Sequence, residues 1–172
     1  ILIKRADVLA VGPGLGRGEW GRTLFEAAAG SGKPMILDAD GLGLLAAHPR
    51  PLPQAILTPH PGEAARLLGL SNEQVQADRF AAVRALVEKF NCVVVLKGAG
   101  TLVAAPGEIT AVIGAGNPGM ATGGMGDVLT GVIAALRAQQ LPLFSAAVFG
   151  ALLHGAAGDD AARVDGERGL LP

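Results

Sequence analysis

The sequence is poor in the residues that many function classes need. It has no tyrosine, one tryptophan, aromatic residues at 3% of its 172 positions and a formal net charge of -1. With neither a basic field nor stacking platforms, a nucleic-acid surface is excluded. The single cysteine, Cys92, excludes an internal disulfide framework. It lies inside the apolar run CVVVLK and reads as a small core residue, not a nucleophile. No stretch approaches the roughly 18 consecutive apolar residues of a membrane helix, and no leader with a cleavage site is visible. These absences set the expectation of a soluble protein, away from membranes, in a reducing, cytoplasmic setting. Two nucleotide fingerprints are also missing. Gly12, Gly14, Gly16 and Gly18 alternate too tightly for GxGxxG, and no Lys-Ser/Thr follows them to make a P-loop.

What is present is a set of short apolar segments punctuated by 26 glycines and 11 prolines. ADVLAV (Ala6–Val11) reads as a buried strand running into the turn GPGLGRG, followed by a helix from about Glu19 to Ala29. PMILDADG reads as a second buried strand ending in Asp38 and Asp40, with Asp40 expected to cap the helix GLGLLAAH. AILT then breaks at Pro59 and Pro61, and a helix opens near Gly62 with Glu63 complementing its dipole. His60, framed by the two prolines at a strand's carboxyl end, is either a structural histidine or a ligand contact. Residues Asn72 to Phe90 read as the longest amphipathic helix, with Val75, Phe80, Val83, Leu86 and Val87 inward. CVVVLK ends in Lys97, which must reach solvent or an anion, and KGAGT turns the chain back into TLVA. ITAVI supplies a further strand. Leu143 to Arg163 is rich in Ala and Gly and reads as a tightly packed helix with His154 in its packing surface. Alternating strands and helices predict a mostly parallel sheet covered on both faces, in one domain over residues 1–172. GPGLG, DADG, TPHPGE, KGAGT and the glycine run that follows can then meet at one edge of that sheet.

That run, GAGNPGMATGGMGD from Gly114 to Asp127, feeds a helix whose apolar residues Val128, Leu129, Val132, Ile133 and Leu136 recur at helical spacing. Helix-starting amides have no partner within the helix and carry the positive end of its dipole. Gly123, Gly124 and Gly126 let such a backbone close around an anion. Asp127 at its mouth is either a helix cap or a base, and the residues alone leave both open.

GPGLG, ILDADGL, LTPHPGEAARLLG, VVLKGAGTLVA, GNPGMATGGMGDVLTGVIAALRAQ and ALLHGAAGDDAA, in this order, resemble the ADP-dependent NAD(P)H-hydrate dehydratase family, a branch of the ribokinase-like superfamily. The resemblance spans nearly the whole chain and is sharpest at NPGMATGGMGD and TPHPGE. It implies a three-layer α/β/α fold and dehydration of the S form of hydrated NADH or NADPH. ADP or ATP, with Mg2+, phosphorylates the ring hydroxyl, and phosphate then leaves. Carried over by residue, Asp127 is the base and contacts the hydrate. Gly123, Gly124, Met125 and Gly126 form the anion hole. Lys97, Gly98, Ala99, Gly100 and Thr101 form the adenine-nucleotide segment, and Gly14, His60 and Asn117 contact the hydrated dinucleotide. The resemblance also implies a homo-oligomer. It departs at Gly43, where the family carries Asn, and in length: elements before Ile1 and a tail beyond Pro172 are expected to be lacking, giving an incomplete domain. The alternatives are a ribokinase-like kinase of the hydroxymethylpyrimidine or hydroxyethylthiazole type, or an inactive nucleotide-binding fragment.

Overall fold

Each apolar run stops where glycine, aspartate, proline or lysine ends it, and the short strands that result lie side by side. The computed structural model describes residues 2–172. In chain order the elements are α1 (Leu2–Arg5), β1 (Leu9–Val11), α2 (Glu19–Ala29), β2 (Met35–Leu37), α3 (Ala39–Ala47), β3 (Ala55–Leu57), α4 (Pro61–Leu68), α5 (Asn72–Ala77), α6 (Arg79–Phe90), β4 (Val93–Leu96), β5 (Thr101–Ala104), β6 (Ala111–Ile113), a 3-10 turn (Pro118–Met120), α7 (Met125–Ala138) and α8 (Leu143–Asp165). The strands form one sheet in sequence order. β1 to β4 are parallel, and β5 and β6 return antiparallel, so the expectation of a mostly parallel sheet holds.

Alternate side chains divide the strands between two cores, as the two-residue period requires. Met35, Leu37, Ala55, Leu57, Val94 and Leu96 pack with Phe25, Leu45, Leu67, Val83, Leu86 and Phe90 from the helices that connect the parallel strands. Ile36, Ile56, Val93, Val95, Val103 and Ile113 pack on the opposite face with Leu129 and Ile133 of α7 and Ala146, Ala147 and Ala151 of α8. Crossovers between successive parallel strands share one hand and therefore fall on one face, leaving the other to α7 and α8. The result is three layers. Among the described residues no helix is long and apolar enough to cross a membrane.

Three expectations need correction. The helix read over Asn72–Phe90 is two helices, interrupted at Asp78. The Asp78 carboxylate accepts from the Ala81 amide at 2.8 Å, so a local side-chain bond restarts the helix although the apolar period runs on. Phe80, just after the break, is 43% exposed, whereas Val75, Val83, Leu86 and Val87 are buried. The longest helix is α8, with 23 residues. Asp40 does not cap α3: Asp38 occupies the N-cap position without a side-chain cap, and Asp40 binds the preceding loop. Finally, Leu129 and Ile133 are buried on α7 but Val128 is 41% exposed.

Candidate functional site

The parallel strands continue their hydrogen-bond ladder beyond their ends, and this aligns the site. The Asp38 amide donates to the Val11 carbonyl at 3.1 Å, Thr58 to Leu37 at 3.0 Å, and Lys97 to Pro59 at 2.9 Å. The carboxyl ends of β1 to β4 therefore present Gly12, Asp38, His60 and Lys97 along one edge, where open α/β sheets bind ligands. Gly12 has φ +140°, and a β-carbon there would run into the Asp38 carbonyl, so only glycine permits this approach of β1 to β2.

Asp38 is the centre of the buried part. It is 2% exposed. One carboxylate oxygen accepts from Lys97 Nζ at 2.9 Å and the other from Thr130 Oγ1, on the buried face of α7, at 3.1 Å. The anion that Lys97 reaches within the protein is thus Asp38, and Glu63 Oε2 lies 3.9 Å from the same ammonium. A buried carboxylate needs such partners, because the desolvation of an unpaired charge is not recovered. Thr130 ties α7 to this pair, and the helix start comes down onto it: a β-carbon on Gly126 would lie 3.1 Å from Lys97 Nζ and 3.4 Å from Asp38 Oδ2. Glycine at 126 lets the first turn of α7 sit directly over the ammonium. Gly124, with φ +96°, is the N-cap of α7, and Gly123, Met125 and Asp127 complete the turn. The amides that open α7 lie above the Lys97 ammonium, whose charge Asp38 and Glu63 balance, and Asp127 is exposed at the rim.

His60 is the N-cap of α4. Its Nδ1 accepts from the Gly62 amide at 3.0 Å, and Glu63 closes the reciprocal box by accepting from the His60 amide at 2.8 Å. With Nδ1 occupied as an acceptor, a neutral ring carries its proton on Nε2, 3.7 Å from Glu63. The side chain is 57% exposed, so Nε2–H also faces solvent as a donor.

The KGAGT turn has an anchor that the sequence reading missed. Arg79, the first residue of α6, donates from Nη2 to the Leu96 and Lys97 carbonyls at 3.1 and 3.3 Å, and from Nη1 to the Ala99 carbonyl. Gly98, Ala99 and Gly100 are thereby clamped, and Thr101 Oγ1 closes onto the Gly98 carbonyl at 3.1 Å. Burial lowers the Arg79 pKa from its ordinary value. The only signal was a cation at a helix start, where the dipole disfavours it and a compensating set of carbonyls is needed.

Gly14 (φ +67°) lies in the loop after β1. That loop is pinned by Asp40, which accepts from the Gly16 amide at 2.9 Å and Arg17 Nε at 3.1 Å. Gly43 makes room for the same arginine, since a β-carbon there would sit 2.6 Å from Arg17 Nε. Asn117 stands at the entrance to the glycine loop with both ends of its amide engaged, Nδ2 donating to Asp159 at 3.0 Å and Oδ1 accepting from Gly119 at 3.0 Å. Asp38, Glu63 and Gly126 therefore each lie near Lys97, whereas the partners of Asn117 are Asp159 of α8 and Gly119 of the loop itself. His154, on α8, has a buried Nε2 without a hydrogen-bond partner, and its pKa is lowered by burial and by the Lys97 charge.

Among the described residues no three His, Cys, Asp or Glu side chains cluster to hold a metal by themselves. Mg2+ characteristically needs only one or two carboxylates, with water and phosphate oxygens completing its shell. Glu63, beside the pocket with its side chain 13% exposed, and the exposed Asp127 are donors of that kind.

A family model described as NAD(P)H-hydrate dehydratase matches residues 2–172. A bifunctional NAD(P)H-hydrate repair enzyme of Coxiella burnetii is 52% identical over 170 residues, covering 99% of this chain and 35% of the relative. The ADP-dependent (S)-NAD(P)H-hydrate dehydratase of Neisseria meningitidis is 51% identical over 171 residues, covering 92% of this chain and 57% of the relative. The solved ADP/ATP-dependent NAD(P)H-hydrate dehydratase of Bacillus subtilis, co-crystallised with ATP and Mg2+, superposes with a TM-score of 0.84 at 30% identity, over 96% of this chain and 59% of that one. The chain thus spans about a third of the bifunctional relatives it matches and under two thirds of the single-function ones. The three layers, the sheet order and these matches agree on a ribokinase-like fold. The chain belongs to the NAD(P)H-hydrate dehydratase family.

Proposed function

We propose that this chain forms the catalytic centre of an ADP- or ATP-dependent dehydratase acting on the S form of hydrated NADH or NADPH. The observation that carries the proposal is the start of α7 seated over the Lys97–Asp38 pair, with Asp127 at the rim and His60 on a neighbouring strand end. Phosphoryl transfer depends on positioning and on charge stabilisation, and this arrangement supplies both. Gly123, Gly124, Met125 and Gly126 present amides to the transferring phosphoryl group, and the Lys97 ammonium beneath Gly126 adds to their field. Asp127 takes the proton of the ring hydroxyl as its oxygen bonds to the terminal phosphorus of the nucleotide. The bond from that phosphorus to the bridging oxygen breaks, releasing AMP from ADP or ADP from ATP. The C–O bond then breaks to release phosphate while the adjacent ring carbon gives up a proton to solvent, and the double bond returns. The clamped turn Gly98–Thr101 seats the adenine nucleotide. Gly14 and His60 contact the hydrated dinucleotide, with Nε2–H of His60 donating, while Asn117 acts from the loop entrance. Bound Mg2+ would be held by nucleotide phosphates, water and Glu63 or Asp127, and would neutralise charge developing on the phosphates.

We further propose a cytoplasmic homo-oligomer built on residues 1–172 as one domain. The lone buried thiol and the exposed Phe149, Leu152 and Leu153 on α8 support this reading, and sedimentation of the intact protein tests the assembly. The kinase alternative has no support among the relatives near 50% identity, which are named for hydrate repair. The activity is tested by incubating the intact protein with hydrated NADH and ADP or ATP. Return of the reduced-nicotinamide absorbance is expected, and a folded sample that gives none with either nucleotide overturns the proposal.

A further inference from the structure

The glycine loop is attached at both ends. Thr130 and Asp38 hold the helix that follows it, and α8 holds its entrance. There the Asp159 carboxylate accepts from the Gly116 amide at 2.9 Å with one oxygen and from Asn117 Nδ2 at 3.0 Å with the other. Asn117 passes the constraint on by accepting from the Gly119 amide at 3.0 Å. Small residues of α8 let the loop lie close: a β-carbon on Gly155 would sit 2.7 Å from the Ala115 carbonyl, and Gly158 faces the Met120 thioether. Gly116 has φ +114°, a conformation that favours glycine, and its amide is the one that Asp159 holds. We propose that Asp159 is a positioning residue for phosphoryl transfer, its carboxylate and Asn117 forming a strut that sets the height of the Gly123–Gly126 amides over Lys97. The proposal rests on the dehydratase reading for its activity arm and on the hydrogen-bond geometry alone for the strut. The two amide donors also hold the Asp159 pKa below the usual carboxylate value.

The polarity of the strut can be reversed, and this gives the test. In Asp159→Asn the new amide faces the Asn117 amide; flipping Asn117 only moves the donor–donor conflict to Gly119. In Asn117→Asp two carboxylates face each other. In the double variant the amide introduced at position 159 accepts from Gly116 and donates to the carboxylate introduced at position 117. That carboxylate accepts from Gly119, so every contact returns, with the direction of the central bond exchanged. The intact wild type, both single variants and the double variant are compared for kcat, for hydrate KM and for amide hydrogen exchange over residues 116–127 without ligand. Each single variant is expected to lose about tenfold or more in kcat, because small misplacements at a transferring group are costly, with KM changed less than about threefold. Exchange at 116–119 is expected to accelerate while that of β4 stays unchanged, and the double variant should recover most of both. Single variants with wild-type kcat and exchange overturn the proposal, as does a double variant no better than the sum of the singles. Loss of folding in a single variant that the double variant does not repair also overturns it. If Asn117→Asp alone is impaired, Asn117 touches the substrate and the strut is refuted. An inactive wild type would overturn the dehydratase reading, and the exchange measurements would then decide the strut by themselves.

Discussion

At the residue scale the site depends on one buried ion pair. Lys97 was legible as a charge that had to reach solvent or an anion; that it meets Asp38, 59 residues away in sequence, was not, because nothing local links the ends of β2 and β4. Removing one partner leaves the other charge buried. Lys97→Met is therefore expected to lower unfolding free energy by about 3–5 kcal/mol, and adding Asp38→Asn should restore much of it. Urea unfolding of the wild type and these variants checks this, and equal losses in the single and double variants would show that the pair is not the cause. Two groups with lowered pKa values contribute to the response to acid. His154 has a lowered pKa in the folded state, so its contribution is present above its unfolded value near 6.5 and is lost as pH falls toward the folded value. Asp159, also lowered, contributes above its unfolded value near 3.8 and loses that contribution as pH falls through its folded value. His154→Gln should flatten the fall in thermal stability just below pH 6.5 and leave the more acidic fall in place. An unchanged profile would remove His154 from the account.

At the element scale, legibility followed apolar pattern and failed where side chains override it. The ranges of α2 and α8 and the β4–β5 return were visible because Gly and Pro bound them. The break at Asp78 was not, since the apolar period continues across it, and Arg79 was passed over because a lone arginine near a helix start has no distinctive spacing. Both residues serve the KGAGT turn, Asp78 by ending α5 and Arg79 by holding three carbonyls. Arg79→Ala should weaken ADP-dependent thermal stabilisation more than it lowers ligand-free stability, and the opposite ranking would make the clamp merely structural. The glycine loop behaves differently. Gly124 at φ +96° cannot take a side chain without strain, so Gly124→Ala is expected to cost about 1–2 kcal/mol and to lower kcat. Retained kcat with that stability loss would place the anion hole elsewhere.

At the scale of the whole molecule the sheet was the most legible feature. Runs such as MIL, AIL and VVVL are too apolar for a solvent-facing strand, and their burial between two helical layers follows from that alone. Which face each helix takes follows from crossover hand and not from residue type. Cys92 shows how completely the layers close: burial pushes its thiol up to about 12. A thiol reagent is accordingly expected to modify the native protein only at its unfolding rate, and rapid modification would contradict the burial. How the strand ends, α7 and the loop entrance meet was visible only in outline, because distances such as Lys97 to Gly126 come from the fold and from no motif.

The measurement that bears most directly on the central claim is turnover of hydrated NADH with ADP by the intact wild type and by Asp127→Asn. The account predicts return of the NADH absorbance in the wild type. It predicts a loss of about 100-fold or more in the variant, as for removal of a general base, with ADP-dependent thermal stabilisation retained. Wild-type turnover by Asp127→Asn would contradict it, and would leave Asp127 as no more than the first acidic residue of a helix.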